Sequence, residues 1–287
     1  MININIFDEQ FFYTLEKYGY LTAVATGLKP TKLKYIIRDL NYKGATVFTD
    51  RLIYSNVVDE SKSKYKIAWL LESPAIEPEC HSKIGLVLDK FDLVLTSNKL
   101  LSYKHEKIKY MPFAGCYFFK KDYKLHQKTK LVSHIVTNKL LTKGHILRHQ
   151  VANFIAHHPD LNKKVDIYKP PFKQGDPFIP YCFSIVIENC SAEGYFTEKV
   201  INAFITGTMP LYFGDWNLGS IFNPAGFFII NNGEDFEPYL KYACNKDLYN
   251  SRLNAIKENM EIAKKYASTD DILADTIKQY TNKKYLI

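Results

Sequence analysis

Short apolar runs bounded by polar or turn-forming residues recur along the chain, and the region from Phe183 to Ile230 shows the pattern most fully. Phe183–Ile187 is apolar but for Ser184 and predicts a buried strand. It stops at polar residues and Gly194. Helical spacing then takes over, with Val200, Ile201, Phe204 and Ile205 apolar, before a second apolar run, Met209–Phe213, ends at Gly214. Strand, polar loop, helix and strand make a βαβ unit. Its loop lies at the carboxyl end of a strand, where open α/β sheets bind ligands.

The same reading applies elsewhere. Met1–Asp8 alternates like a strand, and Ala45–Phe48, Lys66–Leu71, Phe91–Thr96, Ile108–Met111, Leu131–Val136 and Val165–Tyr168 also predict strands. Thr31–Leu40, Gly144–His157 and Ser251–Tyr266 predict helices, and Ser97–Leu101 opens a short one. Thr269, Asp270 and Asp271 cap a last helix that runs to about Tyr280. Tyr20–Ala25 fits a strand or a helix. Pro170, Pro171, Gly175, Pro177 and Pro180 mark an irregular loop. Such alternation predicts an α/β protein with parallel sheets of Rossmann type. The charged stretch Lys120–Lys130 is the expected interdomain linker, dividing the chain into residues 1–125 and 126–287.

Composition narrows the function classes. A length of 287 residues suits two domains, and 46% apolar content is ample for their cores. No apolar stretch approaches the roughly 18–20 residues that span a bilayer, and Met1–Asp8 lacks the features of a signal peptide. A cytoplasmic protein is expected, with peripheral association at a membrane left open. Cys80, Cys116, Cys182, Cys190 and Cys244 are odd in number and scattered, which argues against a disulfide framework or a zinc site. The net charge of +8 suits a phosphate-bearing ligand, an anionic membrane surface or nucleic acid. No compact basic helix or aromatic-basic interleaving favours nucleic acid, so none is expected as a partner.

The residues also resemble a family. Glu188-Asn189 followed by Tyr195-Phe196-Thr197-Glu198-Lys199 resembles a signature of the alpha-1,3-fucosyltransferases, glycosyltransferase family 10. Ala203–Gly214 is similar to that family's continuation, and Phe222–Ile230 with Asp235-Phe236 to its next run. Trp69–Pro74 and Leu131–Asn138 resemble two further family segments.

The resemblance implies a GT-B fold: two Rossmann-like domains facing each other across a cleft, the first on the acceptor side and the second binding a GDP-sugar. It assigns donor contacts to Asn189, Tyr195, Glu198 and Lys199. Glu188 faces either the nucleotide or a structural partner. Lys199, in the first turn of a helix, suits the electrostatic task of holding a leaving diphosphate. Arg148 is the second phosphate candidate, because a guanidinium grips phosphate through a fork of donors. Glu72, in Glu72-Ser73-Pro74, matches the glutamate proposed as the family's base. Glu77, Glu79, His81 and His105 compete for that role without motif support.

The implied reaction is inverting transfer of fucose from GDP-fucose to an acceptor glycan by single displacement. Transfer of another GDP-sugar, or GDP-sugar or glycan binding without catalysis, are the alternatives. The Asp-x-Asp pair of metal-dependent glycosyltransferases is absent from the sequence. No cofactor is therefore required by motif, while a stimulatory divalent ion stays open. Tyr212, Phe213 and Trp216 are aromatic candidates for acceptor stacking, Trp216 foremost.

Overall fold

The computed structural model describes residues 1–9, 12–23, 28–173, 175–230, 236–281 and 286. Its contacts divide the chain into two compact units, Met1–Phe113 with Ser268–Ile287, and Ala114–Ala267.

The first unit holds β1 (Ile2–Phe7), α1 (Phe12–Tyr18), β2 (Leu33–Ile37), β3 (Ala45–Thr49), α2 (Val57–Glu60), β4 (Tyr65–Leu70), α3 (Pro78–Lys83), β5 (Leu93–Thr96), α4 (Lys99–Ser102) and β6 (Ile108–Tyr110). The strands pair in parallel in the order β2-β1-β3-β4-β5-β6. Side chains alternate across the pleat, so each strand supplies both faces. Ala45, Val47, Ile67, Trp69, Leu93 and Leu95 share one core. Phe48, Ala68, Leu70 and Val94 share the other. Burial on both faces explains why these strands read as unbroken apolar runs. The terminal helix, Thr269–Tyr280, covers the first face with Leu273, Ala274 and Ile277.

The second unit holds β7 (Lys130–Ile135), α5 (Lys143–His157), β8 (Val165–Tyr168), β9 (Tyr181–Ile187), α6 (Glu198–Ile205), β10 (Met209–Phe213), β11 (Phe228–Ile229), α7 (Phe236–Ala243), α8 (Lys246–Ser251) and α9 (Leu253–Lys264). Its five strands are parallel in the order β11-β10-β9-β7-β8. Each sheet thus has a point where the strand order reverses, between β1 and β3 in one and between β7 and β9 in the other. Ligands bind outside the carboxyl ends of strands at such points.

Three expectations are corrected. Residues 31–40 are not a helix: Leu33–Ile37 is an edge strand paired with β1, from Ile2↔Leu33 to Ile6↔Ile37. Lys120–Lys130 is not a linker, because the division falls at Phe113 and the stretch lies inside the second unit. Lys128 is buried there, its ammonium donating to the carbonyls of Ile179 (3.1 Å) and Thr206 (2.9 Å) and to Thr208 Oγ1 (2.9 Å). Nor do residues 126–287 form one unit, since Ser268 onward returns to the first. Of Tyr20–Ala25, the described residues 20–23 carry neither strand nor helix. Asp235 lies outside the described residues.

Candidate functional site

The sequence-predicted donor residues gather at the carboxyl end of β9, beside the reversal in the second sheet. Two helices begin there. Thr142 caps α5, its hydroxyl accepting from the His145 amide (3.2 Å), and Thr197 caps α6, accepting from the Lys199 amide (3.3 Å). The Gly144 amide donates to the Asn189 carbonyl (3.1 Å). A Cβ at Gly144 would lie 1.8 Å from the Glu188 carbonyl oxygen, so only glycine permits this approach.

Arg148, one helical turn on from Gly144, is brought to the same strand end. Its Nε and Nη2 donate to the Ile187 carbonyl (3.0 and 2.5 Å), and Nη2 donates also to Asn189 Oδ1 (3.1 Å). Among the described residues Nη1 has no hydrogen-bond partner, which leaves one arm of the guanidinium fork for a ligand. Burial lowers the pKa of Arg148, against the pull of Glu188, Glu198 and Tyr195. An arginine so placed stays charged.

Glu188 is fully buried. Its carboxylate accepts from the Thr197 amide (2.9 Å) and hydroxyl (2.7 Å), and Lys199 Nζ stands 3.4 Å from Oε2. Of the two faces expected for Glu188, the structure shows a structural partner: the side chain anchors the start of α6 through Thr197. Burial raises its pKa, while Lys199 opposes that shift. Lys199 Nζ donates also to Thr197 Oγ1 (3.0 Å) and Glu198 Oε1 (3.0 Å), yet 29% of its side chain remains exposed. Burial disfavours its charge, but Glu198 and Glu188 outweigh that and raise its pKa. Tyr195 is buried beside them, and its carbonyl accepts from Tyr212 Oη (3.3 Å).

The motif comparison missed His145. It is buried, and its Nδ1 has no partner among the described residues. Burial, with the charges of Arg148, Lys139 and Lys199, pulls its pKa down to about 4, so it faces the cations as a neutral imidazole. Its place three residues after a cap was the available signal. Tyr212 and Phe213 are buried core residues, whereas Trp216 is half exposed.

In the first unit Glu72 follows β4, at the carboxyl edge of that sheet, and is half-buried. Its amide donates to both carboxylate oxygens of Asp50 (3.1 and 3.3 Å), and the Leu71 amide donates to Asp50 Oδ1 (2.9 Å). His81 Nε2 lies 2.9 Å from the Glu72 carbonyl oxygen. The rival carboxylates are engaged elsewhere, Glu77 with Arg51 (2.9 Å) and Glu79 with Lys83 (2.6 Å). Asp50 was not singled out from the sequence, since nothing local marks it. Among the described residues no group of three or more His, Cys, Asp or Glu could hold a metal ion, and no helix is long and apolar enough to cross a membrane.

No family model matches the chain. It is 34% identical over 83 residues to Alpha-(1,3)-fucosyltransferase FucT of Helicobacter pylori, across 28% of this chain and 17% of that protein. It is 39% identical over 79 residues to Alpha-(1,3)-fucosyltransferase B of Drosophila melanogaster, across 25% of this chain and again 17% of the relative. The chain therefore matches under a fifth of the length of each relative. Among solved structures it superposes on an alpha1,3-fucosyltransferase with a TM-score of 0.59 at 15% identity, covering 99% of this chain and 91% of that one. A structure of alpha1,3-fucosyltransferase with GDP-fucose gives 0.58 at 14% identity, over 98% and 90%. Anabaena Alr3699/HepE in complex with UDP-glucose gives 0.63 at 9% identity, over 97% and 100%. The fold is that of the GT-B glycosyltransferases.

Proposed function

We propose that this chain is a glycosyltransferase that moves fucose from GDP-fucose to a hydroxyl of an acceptor glycan, with inversion at the anomeric carbon. One observation carries the reading. The residues shared with the fucosyltransferase signature lie together at the reversal of the second sheet, where Arg148 and Lys199 are fixed by their neighbours. The identities with two alpha-(1,3)-fucosyltransferases and the likeness to a GDP-fucose complex support the choice of donor.

In the proposed displacement an acceptor oxygen bonds to the anomeric carbon as the bond from that carbon to the phosphate oxygen breaks. The acceptor proton goes to the Glu72 carboxylate, and GDP leaves with the electron pair. The free arm of Arg148 and the ammonium of Lys199 stabilise the charge growing on the diphosphate. Lys199 already shares its protons among three oxygens, so it meets phosphate by exchanging one of them. Positive side chains here do the work that a divalent ion does at an Asp-x-Asp pair.

The test is a panel of GDP-sugars against lactose-type acceptors, read by mass spectrometry. Wild type should yield a product heavier by one deoxyhexose only with GDP-fucose, and Glu72→Gln should yield none while still binding GDP. Product from a different GDP-hexose would replace the donor. Binding of GDP-fucose without transfer or hydrolysis would make the chain a binding protein.

A further inference from the structure

Asp50 has three properties that the donor site does not account for. It sits at the carboxyl end of β3, beside the reversal between β1 and β3. Its φ of 40° lies in the left-handed region, which aspartate enters more readily than most residues but at a cost in free energy. Backbone strain of this kind gathers where function needs a fixed group. Its carboxylate also spans into the next strand connection, taking the amides of both Leu71 and Glu72.

We infer that Asp50 positions Glu72 and sets its basicity: the carboxylate holds the two amides that carry β4 into Glu72, and its negative charge raises the proton affinity of the Glu72 side chain. This rests on the reading of Glu72 as the base. The groups around Asp50 are Asp8 at the end of β1, Glu72 after β4, Tyr54 on its own turn and Cys80 on α3. Arg51, next in the chain, is drawn to Glu77 instead. Burial pushes the Asp50 carboxyl up to about 7; the Glu72 and Leu71 amides pull it down, and the charges on Glu72 and Asp8 push it further up. Among the described residues the charges that act on it are those of Glu72 and Asp8, both negative. A carboxylate pair of this kind raises the proton affinity of both members. A general base works best when its proton affinity is matched to the working pH.

The experiment follows GDP release from GDP-fucose, with N-acetyllactosamine or water as acceptor, across pH for wild type, Asp50→Asn, Asp50→Gly and Glu72→Gln. Asparagine and glycine both accept the left-handed backbone, so thermal melts should show Asp50→Gly folded even if Asp50→Asn is not. In the Asp50 variants the acid limb of kcat should move about one pH unit lower. The plateau should fall about tenfold, with KM for GDP-fucose within about twofold of wild type. Glu72→Gln should be inactive at every pH. An acid limb unmoved in folded Asp50 variants, with Glu72→Gln inactive, would overturn the role of Asp50 alone. Turnover by Glu72→Gln, or none by wild type, would overturn that role together with the reading of Glu72.

Discussion

At the scale of single residues, the second unit's site is a set of buried charges that tolerate each other only because each is bonded. Glu188 has no exposure, and its carboxylate is balanced by Thr197 and Lys199. Removing one partner from such a set leaves a buried charge uncompensated. Glu188→Ala should therefore lower unfolding stability by about 3 kcal/mol in urea titrations, because Lys199 and the Thr197 amide lose their acceptor. Gly144 makes a sharper prediction. Its Cβ would fall 1.8 Å from the Glu188 carbonyl oxygen, so Gly144→Ala must push the start of α5 off the strand end and carry Arg148 with it. The variant should lose about 2–3 kcal/mol and most of its GDP affinity, whereas Gly219→Ala, whose nearest contact is 3.8 Å away, should lose neither. The motif residues were picked out by their resemblance to a family signature, and the structure brings them to one strand end. Their division of labour was not legible: that Glu188 is a buried anchor follows from a hydrogen bond across nine residues, which no linear pattern reports. Asp50 was missed for the same reason, since the amides it holds lie 21 and 22 residues further along the chain.

Among elements, the buried strands were easiest to read. Met209–Phe213 begins and ends where its apolar run does. The stretch taken as a helix at 31–40 shows the limit. Its strand lies at a sheet edge, where only Leu33 is buried, so the alternation that marks a strand is diluted by lysines and exposed positions. The last helix was placed correctly along the chain, but its docking was not legible. Its first turn is stapled to the first unit by two carboxylates. Asp270 accepts from Thr22 Oγ1 (2.6 Å), the Ala23 amide (2.9 Å) and Tyr35 Oη (2.6 Å), while Asp271 accepts from the Thr31 and Lys32 amides (2.8 Å each). Burial pushes the Asp270 carboxyl up to about 6 from 3.8, against the hydrogen bonds that lower it. The native state therefore binds this proton more tightly than the unfolded chain. Its contribution is greatest below about pH 4, declines as pH rises towards 6 and is level above that. Relative to Asp270→Asn, which cannot titrate, wild type should lose about 2 kcal/mol of stability between pH 4 and pH 7. Urea unfolding of both proteins at the two pH values measures this directly.

For the whole molecule, composition and alternation were enough to suggest two α/β units, but their boundary was not. A charged stretch resembles a linker only until one sees that Lys128 is buried beneath it, tied to four oxygens by hydrogen bonds. The true division leaves the first unit built from both ends of the chain. A chain ending at Ala267 should lose the cover over one face of the first sheet, including Leu273 and Ile277. Limited trypsin digestion should then destroy Met1–Phe113 while Ala114–Ala267 survives. Chelation tests the charge balance proposed for transfer. With Arg148 and Lys199 serving the diphosphate, turnover should stay within about twofold when EDTA is added.

The most direct test of the central claim is a calorimetric titration of GDP into wild type and Lys199→Ala at fixed ionic strength. A charge-assisted contact to phosphate accounts for about 1.5–3 kcal/mol, so the variant, titrated well below a melting point that the uncompensated Glu188 should lower, should bind GDP about 10- to 100-fold more weakly. Equal affinity in the two proteins, or no heat from wild type, would contradict the assignment of the second unit as the nucleotide-binding one.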